Sequence, residues 1–532
     1  MLIHKNIELA IEIERLYQQG LSDYDMEPLV MVDSNQVPVG RIQNGDTIIF
    51  CCKRGEREVQ LTRSFVDPSF NEFKTSKLNN IHFISFTLYH NMFLKMPVEV
   101  AFPQAHVISD TIGDVISKNG LRQLRVAESE KFAHVTFFLN GNNNHIFPGE
   151  DHIQIPSIKG VSFDQVPELS SKDVAGAVIG AIQKDMYNFI VVNFPNGDMI
   201  GHLENQEAKM KCAEAVDRQL GNVLSAADSA GYVTLITADH GILESSFHPD
   251  GTPNLSHTKN PVPFIMVDPD LKKQTEIQLI NNRTLADVAP TALHIMKLPV
   301  PELMTGKNLI LGEQNLNVGR KVLLVVLDGW GIGKSDKTNP IFSASTPVYD
   351  RLIAEYPFTR LEASGSAVGL MDWKAGNSEA GHQTIGAGRT VLQDDVRIES
   401  SIEDGSFFEN TAFLTGFAKA KANKGALHLI SLLSEKSSHG SIGYPIALLR
   451  LAKEQQVQSV YVHAIFDGRS TKVRSAIGFI EKIQNEMNKL GIGKFATGIG
   501  RGFALDRNGN YRKTQKAYNA LVFGKGRKVI PM

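Results

Sequence analysis

Three short stretches of the chain are continuously apolar and rich in β-branched residues. They are Phe189 to Asn193 (FIVVN), Val233 to Thr237 (VTLIT) and Val322 to Leu327 (VLLVVL). Runs of this length without polar alternation are typical of strands that are buried on both faces of a parallel sheet. A longer segment with helical periodicity, Asn205 to Ala226, lies between the first two runs, as in a βαβ unit. The pattern therefore predicts an α/β fold with a central, mostly parallel sheet.

An amphipathic pattern comes earlier in the chain. From Asn6 to Gln19, apolar and charged positions follow the period of a helix, and Gly20 comes where a helix cap is expected. This segment predicts a helix but carries no residues that indicate chemistry. The stretches at Phe102 to Gln104 and at Gln393 to Asp395 are polar or contain proline, and we predict that they are linkers between domains.

Composition narrows the class of protein. The 532 residues exceed the size at which one hydrophobic core stops growing, so two domains are expected. The formal net charge of -2 gives no support for a nucleic-acid or membrane partner. The three cysteines, Cys51, Cys52 and Cys212, cannot form a disulfide framework, and no apolar run approaches the roughly 18 residues of a membrane span. We expect a soluble cytoplasmic protein with neither kind of partner.

Residues of the types that bind metal ions follow the three apolar runs, where ligands bind in open parallel sheets. Mixed carboxylate and imidazole ligands favour Mn²⁺, Zn²⁺, Co²⁺ or Mg²⁺, and six of them exceed the needs of one tetrahedral ion. A lone aspartate after a strand is commonly a turn former, so the prediction of a two-metal site depends on the combination. The six candidates are Asp198 and His202 after FIVVN, Asp239 and His240 after VTLIT, Asp328 after VLLVVL, and His257 in a loop before the apolar stretch VPFIMV.

A candidate nucleophile, Ser378, lies in the glycine-rich segment AGNSEAGHQTIGAGR. A serine hydroxyl is a poor nucleophile at neutral pH unless a base or a metal ion activates it, and coordination to a metal would supply that activation. The segment has neither a Gly-x-Ser-x-Gly elbow nor a P-loop pattern, so a hydrolase triad and a nucleotide site are weaker interpretations.

Taken together, the motifs LDGWG, GNSEAGH, GDMIGH, TADHG and SHTKNPVP resemble those of the cofactor-independent phosphoglycerate mutases, within the alkaline phosphatase superfamily. The resemblance extends over nearly the whole chain. It implies an alkaline-phosphatase-like metal domain and a second α/β transferase domain. It also implies the interconversion of 3-phosphoglycerate and 2-phosphoglycerate, in glycolysis and gluconeogenesis, through a phosphoserine.

The same resemblance implies a role for each candidate residue. Asp198, His202 and His257 would hold one metal ion, while Asp239, His240, Asp328 and the Ser378 oxygen would hold the other. The ions would be Mn²⁺, with Mg²⁺, Co²⁺ or Zn²⁺ as alternatives. Ser378 would accept the phosphoryl group, and Lys131 would contact it during transfer, where a positive charge stabilises the transition state. The protein would be a monomer that acts on a small phosphorylated molecule. The substrate would be bound by Arg54, Arg57, Arg469, Arg501, Arg507, His439 and Lys131.

The order of the motifs differs from the order in that family. There the DGWG-type strand comes first and the TADHG and HTKNPVP motifs come near the end, whereas here those two motifs precede Asp328. We interpret the difference as a circular permutation, which is tolerated at exposed sites because the packed contacts are retained. It predicts a contiguous metal-binding domain at residues 106–392, a discontinuous substrate-binding domain from residues 1–105 and 393–532, and chain ends that lie close together.

One position departs from the family pattern. The DGR motif of the family is followed by an aspartate that acts as a general acid and base, whereas here Ser470 follows Arg469, and serine cannot transfer protons in this way at neutral pH. Three interpretations therefore remain open. The chain is an active mutase in which His439 or Asp467 replaces the carboxylate, a phosphatase or mutase of another phosphorylated small molecule, or a catalytically impaired metal-binding protein.

Overall fold

The computed structural model describes residues 7–103, 108–271, 277–311, 317–435, 437 and 439–531. The chain divides into two compact units. The split unit comprises Met1–Gln104 and Arg397–Met532, and the contiguous unit comprises Ala105–Val396. The sequence predicted boundaries at residues 105/106 and 392/393, and the role assigned to each part stays a prediction.

Strands and helices are distributed over both units. The strands are β1 (Leu29–Met31), β2 (Thr47–Phe50), β3 (His82–Ser85), β4 (Val98–Val100), β5 (Gln123–Glu128), β6 (Glu150–Ile155), β7 (Phe189–Phe194), β8 (Val233–Thr237), β9 (Val262–Val267), β10 (Gln278–Leu279), β11 (Arg283–Thr284), β12 (Ile310–Leu311), β13 (Val322–Leu327), β14 (Phe358–Glu362), β15 (Leu427–Leu433), β16 (Val460–Phe466), β17 (Lys494–Gly500) and β18 (Arg527–Val529). The α-helices are α1 (Glu8–Gln18), α2 (Val59–Val66), α3 (Ile112–Lys118), α4 (Ser171–Gln183), α5 (Asn196–Gly201), α6 (Gln206–Ser229), α7 (Val288–Ile295), α8 (Pro340–Ser343), α9 (Pro347–Glu355), α10 (Ser378–Ala387), α11 (Asp394–Asp404), α12 (Thr411–Ala422), α13 (Gly443–Glu454), α14 (Ala476–Leu490), α15 (Arg501–Ala504) and α16 (Tyr511–Phe523). Short 3-10 helices span Asn91–Lys95, Ser129–Lys131, Phe163–Gln165, Leu285–Asp287, Gly365–Val368 and Ser406–Glu409, and a π-helical turn spans His134–Phe138.

The contiguous unit is built on an eight-stranded sheet in the order β11-β14-β9-β8-β13-β7-β5-β6. Strand β13 lies between β7 and β8 and runs parallel to both. Every residue of these three strands is buried, because helices cover both faces of a parallel sheet. The predicted strands and the predicted α/β class are confirmed. Strand β9 pairs with β8 in the antiparallel direction, so the sheet is mixed at this side.

Helix α6 follows the pattern that predicted it. The Asn205 side chain caps its first turn by accepting a hydrogen bond from the backbone N–H of Ala208 (3.1 Å). Its buried apolar residues, such as Val216 and Leu220, belong to the same core as the strands of the sheet. The helix continues to Ser229, three residues beyond the predicted end. Helix ends fray, so the sequence pattern defines them less sharply than the middle of the helix.

The split unit contains a second eight-stranded sheet in the order β18-β1-β17-β16-β15-β2-β3-β4. Both chain segments contribute to it, since β15 pairs in parallel with both β16 and β2. Strand β1 pairs in parallel with β18, and Arg527 Nε lies 2.5 Å from the Glu12 carboxylate of α1. The predicted first helix is confirmed as α1, which spans Glu8–Gln18. Asn6, the first residue of the prediction, lies outside the described residues.

The two units divide at Gln104/Ala105 and Val396/Arg397, directly after the first predicted linker and one residue beyond the second, but neither stretch is an exposed connection throughout. Phe102 is buried and packs against the rings of Phe86, Phe407 and Phe413, so it belongs to the core of the split unit rather than to an exposed connection. Pro103, the next residue, suggested an exposed loop. Burial of the large aromatic side chain of Phe102 is favourable in free energy, so the chain places it in the core. Helix α11 begins at Asp394, inside the second predicted linker, because its acidic first turn complements the helix dipole. Gln104, the last residue of the first predicted linker, lies outside the described residues.

All three cysteines are free and buried, as expected for a chain without a disulfide framework. Among the described helices, none combines the length and apolar character needed to cross a lipid bilayer.

Candidate metal centre and nucleophile

The candidate ligands lie at the carboxyl ends of three adjacent strands. Asp328 directly follows β13, Asp239 and His240 follow β8, and Asp198 lies in the first turn of α5 after β7. Because β13 is hydrogen-bonded to both neighbours along its length, the three loops emerge side by side. The backbone N–H of Asp198 donates to the carbonyl of Asp328 (3.0 Å), which fixes one loop against the next.

The glycine of the DGWG motif permits this close approach. Gly329 has a φ of +78°, which is in the left-handed region, and a Cβ added there would lie 2.5 Å from the backbone nitrogen of Asp198. A side chain at residue 329 would therefore push the loops apart.

The first group of candidate ligands consists of Asp198, His202 and His257. Nε2 of His202 and Nε2 of His257 lie 3.2 Å and 3.1 Å from Asp198 Oδ1, and the two ring nitrogens are 3.3 Å apart. Nδ1 of each ring donates to a backbone carbonyl, that of Leu255 (2.9 Å) or Gly376 (2.7 Å), so a neutral ring presents the Nε2 lone pair to the group. Three electron-pair donors then converge on one point, which fits a cation.

The charge of Asp198 acts on both rings. The hydrogen bond with Asp198 raises the pKa of His202. Burial by itself would lower the pKa of His257, but the hydrogen bond to Asp198 raises it overall. His202 is the most exposed of the six candidates, with 44% of its side chain accessible, so this group lies at the edge of the site.

The second group consists of Asp239, His240 and Asp328, whose nearest ligand atoms all lie within 4.8 Å of one another. All three residues are fully buried. Oδ1 of Asp239 accepts hydrogen bonds from the backbone N–H of His240 (3.0 Å) and of Gly329 (3.1 Å). The His240 ring stacks on that of His257 at 3.9 Å, and it joins Asp198 and His257 in a further set of close ligand atoms. The two groups are therefore continuous.

The pKa values of the two buried carboxylates, Asp239 and Asp328, are shifted in opposite directions. Burial and the charge of Asp239 raise the pKa of Asp328. Burial by itself would raise the pKa of Asp239 as well, but neighbouring His240, His382 and Lys131 hold it well below its usual range. Concentrating this much negative charge in a dry site is unfavourable unless cations are present, so the residues fit divalent metal ions.

Ser378 is the first residue of α10, and the Asn377 side chain caps that helix. Its Oγ accepts a hydrogen bond from Lys131 Nζ (2.6 Å), lies 2.9 Å from His240 Nε2 and donates to Asp328 Oδ1 (3.3 Å). The nucleophile and the second group of ligands are thus in direct contact.

Lys131 connects the two groups. Its buried Nζ also donates to Asp198 Oδ2 (2.7 Å) and Asp328 Oδ1 (2.8 Å). Burial by itself would lower the pKa of Lys131, but Asp328 and Asp198 raise it, so the ammonium group stays charged.

Two polar residues of this centre were not identified from the sequence. Asn193 Nδ2 donates to Asp328 Oδ2 (2.7 Å). His382 Nδ1 donates to the carbonyl of Ser378 (2.9 Å) and lies 3.3 Å from Asp239 Oδ2. The position of His382 in the GNSEAGH motif, one helical turn after the serine, could have revealed it.

The candidate substrate residues lie in the split unit, apart from Lys131. Arg57 is buried and its Nη1 donates to the Leu505 carbonyl (3.1 Å). Burial and then the charges of Arg501, Arg507 and Arg469 lower the pKa of Arg57, so four of the five candidate arginines lie within electrostatic range of one another. Exposed Arg54 and exposed Arg507 both pair with Glu56, at 2.7 Å and 2.6 Å. A cluster of positively charged guanidinium groups suits an anionic ligand.

His439 and Ser470 differ in their surroundings. Nδ1 of buried His439 donates to Glu58 Oε1 (3.1 Å), and Glu58 is itself buried. Ser470 is exposed, and its backbone N–H donates to Asp467 Oδ1 (3.3 Å). The same oxygen pairs with Arg501 Nη1 at 2.5 Å. Lys436 and Ser438, on either side of this histidine loop, lie outside the described residues.

Fold and site together define an α/β protein with a serine beside a candidate centre for divalent metal ions. The family model described as "Metalloenzyme superfamily" matches residues 17–300, which is more than half of the chain. The chain therefore belongs to the Metalloenzyme superfamily. A second model, described as "BPG-independent PGAM N-terminus (iPGM_N)", matches residues 398–531.

Several relatives carry the name 2,3-bisphosphoglycerate-independent phosphoglycerate mutase. The one from Cyanothece sp. is 40% identical over 298 residues, which cover 55% of this chain and 54% of that protein. The one from Synechococcus sp. is 41% identical over 302 residues, which cover 56% of this chain and 55% of that protein. The chain thus spans about half the length of the curated relatives it matches. A phosphoglycerate mutase of Leishmania mexicana, solved at low cobalt concentration, is 29% identical over 53% of each chain, with a TM-score of 0.40.

Proposed function

We propose that this protein interconverts 3-phosphoglycerate and 2-phosphoglycerate through a phosphoserine at Ser378. The proposal is carried by the contact of Ser378 Oγ with Lys131, His240 and Asp328 inside a set of metal-ligand side chains. The names of the relatives support the choice of substrate. A cytoplasmic location and a monomeric state stay predictions.

The chain's ligands would divide between two ions. Asp198, His202 and His257 would hold one, and Asp239, His240, Asp328 and the Ser378 oxygen the other, with Mn²⁺ as the proposed metal. When bound, such ions supply Lewis acidity to phosphoryl oxygens and lower the pKa of a coordinated hydroxyl group.

The chain's own groups prepare Ser378 for transfer. Its hydroxyl donates towards Asp328 Oδ1, so the proton that must leave has an acceptor at 3.3 Å. Lys131 Nζ donates to the same Oγ, and its charge stabilises the negative charge that develops there. The phosphoserine would lie at the N-terminus of the ten-residue helix α10, where free backbone N–H groups favour an anion.

The split unit would bind the carboxylate and phosphate of the substrate through its arginine cluster, since planar guanidinium groups bind both in bidentate fashion. Of the two residues considered as a replacement for the carboxylate at residue 470, we favour His439. Glu58 holds its Nδ1–H, which leaves Nε2 to exchange a proton with a glycerate hydroxyl. Asp467 Oδ1 already pairs with Arg501 Nη1 and accepts the backbone N–H of Ser470, so it is less available to a substrate hydroxyl group.

We also propose that the chain is a circular permutation of the family order. Two observations support this. A family model named for an N-terminus matches residues 398–531, near the other end of this chain, while alignments in chain order cover only about half of each relative. The pairing of β1 with β18 brings the two ends of the described chain into one sheet, as a permutation requires.

Phosphorus NMR distinguishes the candidate activities. The purified protein is incubated with Mn²⁺ and 3-phosphoglycerate, and the expected product is 2-phosphoglycerate. Inorganic phosphate as the only product would indicate a phosphatase and contradict the proposal. An unchanged spectrum would indicate a catalytically impaired protein and contradict it as well.

The covalent route predicts a specific loss. Ser378→Ala removes the phosphoryl acceptor, so we expect no turnover, whereas the metal content measured by mass spectrometry should stay close to that of the wild type because six other ligands remain. Ser366→Ala, at an exposed serine of the same unit, is the matched control and should leave both quantities unchanged. Turnover that survives in Ser378→Ala would exclude a phosphoserine at this position.

A further inference from the structure

A buried carboxylate outside the set of ligands lies at the centre of the metal-binding loops. Glu244 is 1% exposed and follows His240 by four residues. Its Oε2 accepts a hydrogen bond from the backbone N–H of Gly331 (3.1 Å), and its Oε1 accepts one from Asn260 Nδ2 (2.8 Å) and one from the Thr258 hydroxyl. All three partners are neutral donors, so the carboxylate is held entirely as an acceptor.

The three partners lie in two loops that carry candidate ligands. Gly331 is three residues after Asp328, in the loop that follows β13. Thr258 directly follows His257, and Asn260 comes two residues later. Glu244 itself ends the loop that begins with Asp239 and His240. One side chain therefore connects the three loops that carry four of the six candidate metal ligands.

The backbone around Glu244 leaves no free space. A Cβ added to Gly331 would lie 2.4 Å from the Glu244 carboxyl carbon, and one added to Gly241 would lie 2.5 Å from both Glu244 Oε1 and Thr258 Oγ1. These contacts are closer than real Cβ atoms make, so the glycines allow the loops to close around the carboxylate. The separation of the loops is thus set by the length of this side chain and its hydrogen bonds.

A neighbouring charge makes the buried carboxylate tolerable. Lys209 of α6 is fully buried, and its Nζ has no hydrogen-bond partner among the described residues. Burial lowers the pKa of Lys209 to about 8, while Glu244 acts in the opposite direction, so the two groups interact electrostatically. Lys209 offsets the charge of Glu244 without competing for its three donors.

We propose that Glu244 is a positioning residue for the metal centre, which sets the distance between the loops that carry His240, His257 and Asp328. The inference rests on the metal centre and is independent of the substrate. Residues that orient metal ligands contribute roughly 10- to 100-fold to metal affinity, and an effect of this size is expected for Glu244. An amide at this position would turn an N–H₂ group towards one of the donors and lose at least one of the three hydrogen bonds.

The experiment measures metal binding rather than turnover. Metal-free Glu244→Gln is titrated with Mn²⁺ by calorimetry, and we expect its affinity to fall about 10- to 100-fold. The matched control is Asp217→Asn. Asp217 is a buried carboxylate of the same unit that accepts hydrogen bonds from the backbone of Val348 (3.1 Å) and Tyr349 (2.7 Å), and neither partner is next to a candidate ligand in the sequence. It should lower the melting temperature in EDTA and leave Mn²⁺ affinity unchanged.

Equal affinity in Glu244→Gln and the wild type would overturn the proposal, as would an equal loss in Asp217→Asn, which would reduce the effect to general stability. If Glu244→Gln does not fold, Thr258→Val tests the same idea by removing one of the three hydrogen bonds. It should fold and bind Mn²⁺ with an intermediate loss, and wild-type affinity in this variant would also exclude the positioning role. Because no substrate is present, the result does not depend on whether the proposed mutase activity is correct.

Discussion

Ser470 is the residue at which this chain departs most clearly from the pattern it resembles. It is exposed, and its Oγ lies 3.4 Å from Nη1 of buried Arg501, so a carboxylate in its place would lie next to a guanidinium group. Such a carboxylate would be held within the arginine cluster, where a substrate hydroxyl group would also be bound. The present serine offers a hydroxyl group that cannot accept a proton at neutral pH.

Restoring the carboxylate should therefore accelerate isomerisation. In Ser470→Asp we expect the turnover of 3-phosphoglycerate to rise about tenfold, less than the roughly 10²- to 10⁴-fold contribution of a general acid or base, because His439 already supplies part of the proton transfer. Ser470→Asn, which has the same shape without the charge, is the control and should show no gain. A rate in Ser470→Asp that stays equal to or below the wild type would mean that proton transfer at this position does not limit turnover.

At the scale of single residues, the sequence indicated most of the candidate metal ligands because they follow continuous apolar runs, where a polar residue is easily recognised. Asn193, His382 and Glu244 were not identified because one polar residue in a buried segment carries no sign of its partner. Asn193 contacts Asp328, 135 positions away along the chain, and only the folded sheet brings them together. The grouping of His240 with Asp198 likewise follows from loop packing rather than from spacing.

Three neighbouring strands of the split unit bury a continuous row of polar groups. His428 of β15 contacts Asp46 Oδ2 through Nε2 (3.0 Å) and His463 of β16 through Nδ1 (3.0 Å). Nδ1 of His463 in turn contacts the Thr497 hydroxyl of β17 (2.9 Å). Burial lowers the pKa of His463 well below its ordinary value near 6.5. The folded sheet therefore keeps this ring neutral under conditions in which an exposed ring becomes charged.

This row predicts how stability depends on pH. Below about pH 6.5 the unfolded chain takes up a proton at His463 and the folded chain does not, so the free energy of unfolding decreases as the pH falls. The melting temperature should drop between about pH 7.5 and about pH 5.5. His463→Gln should lower it at the higher pH, since hydrogen bonds are lost, but should reduce its dependence on pH. The exposed His145→Gln serves as the control. The same pH dependence in His463→Gln and in the wild type would exclude this histidine as its source.

Long elements were predictable and short ones were not. The strands β7, β8 and β13 and the helices α1 and α6 have enough residues for their period to be recognised. Strands of two or three residues, such as β10, β12 and β18, have no recognisable period, and they form because a neighbouring strand is already in place. Phe102 was assigned to a linker for a related reason, since the aromatic cluster that buries it comes from a distant part of the chain.

The whole molecule provides the test of the permutation. Chain ends that share a sheet can be joined, and the segment between Leu311 and Asn317 can be opened, to give a rearranged chain that begins with β13. Because β1 stays paired with β18 and every packed contact is retained, we expect the same circular dichroism spectrum and the same turnover. Opening the chain inside β13 is the control, and it should prevent folding. Failure of the first rearrangement to fold would show that the observed order of segments is needed.

The two-part composition of the split unit has a consequence for synthesis on the ribosome. Strands β2 to β4 emerge early and can pair with one another, but the edge of β2 that belongs to β15 stays open until the contiguous unit has been made. An open parallel edge binds other chains, so the nascent protein is exposed to misassembly for much of its translation. Within the contiguous unit, β7 and β8 likewise wait for β13, the strand that separates them. Rapid production of this protein in a cell should therefore depend on chaperones that shield unfinished sheets.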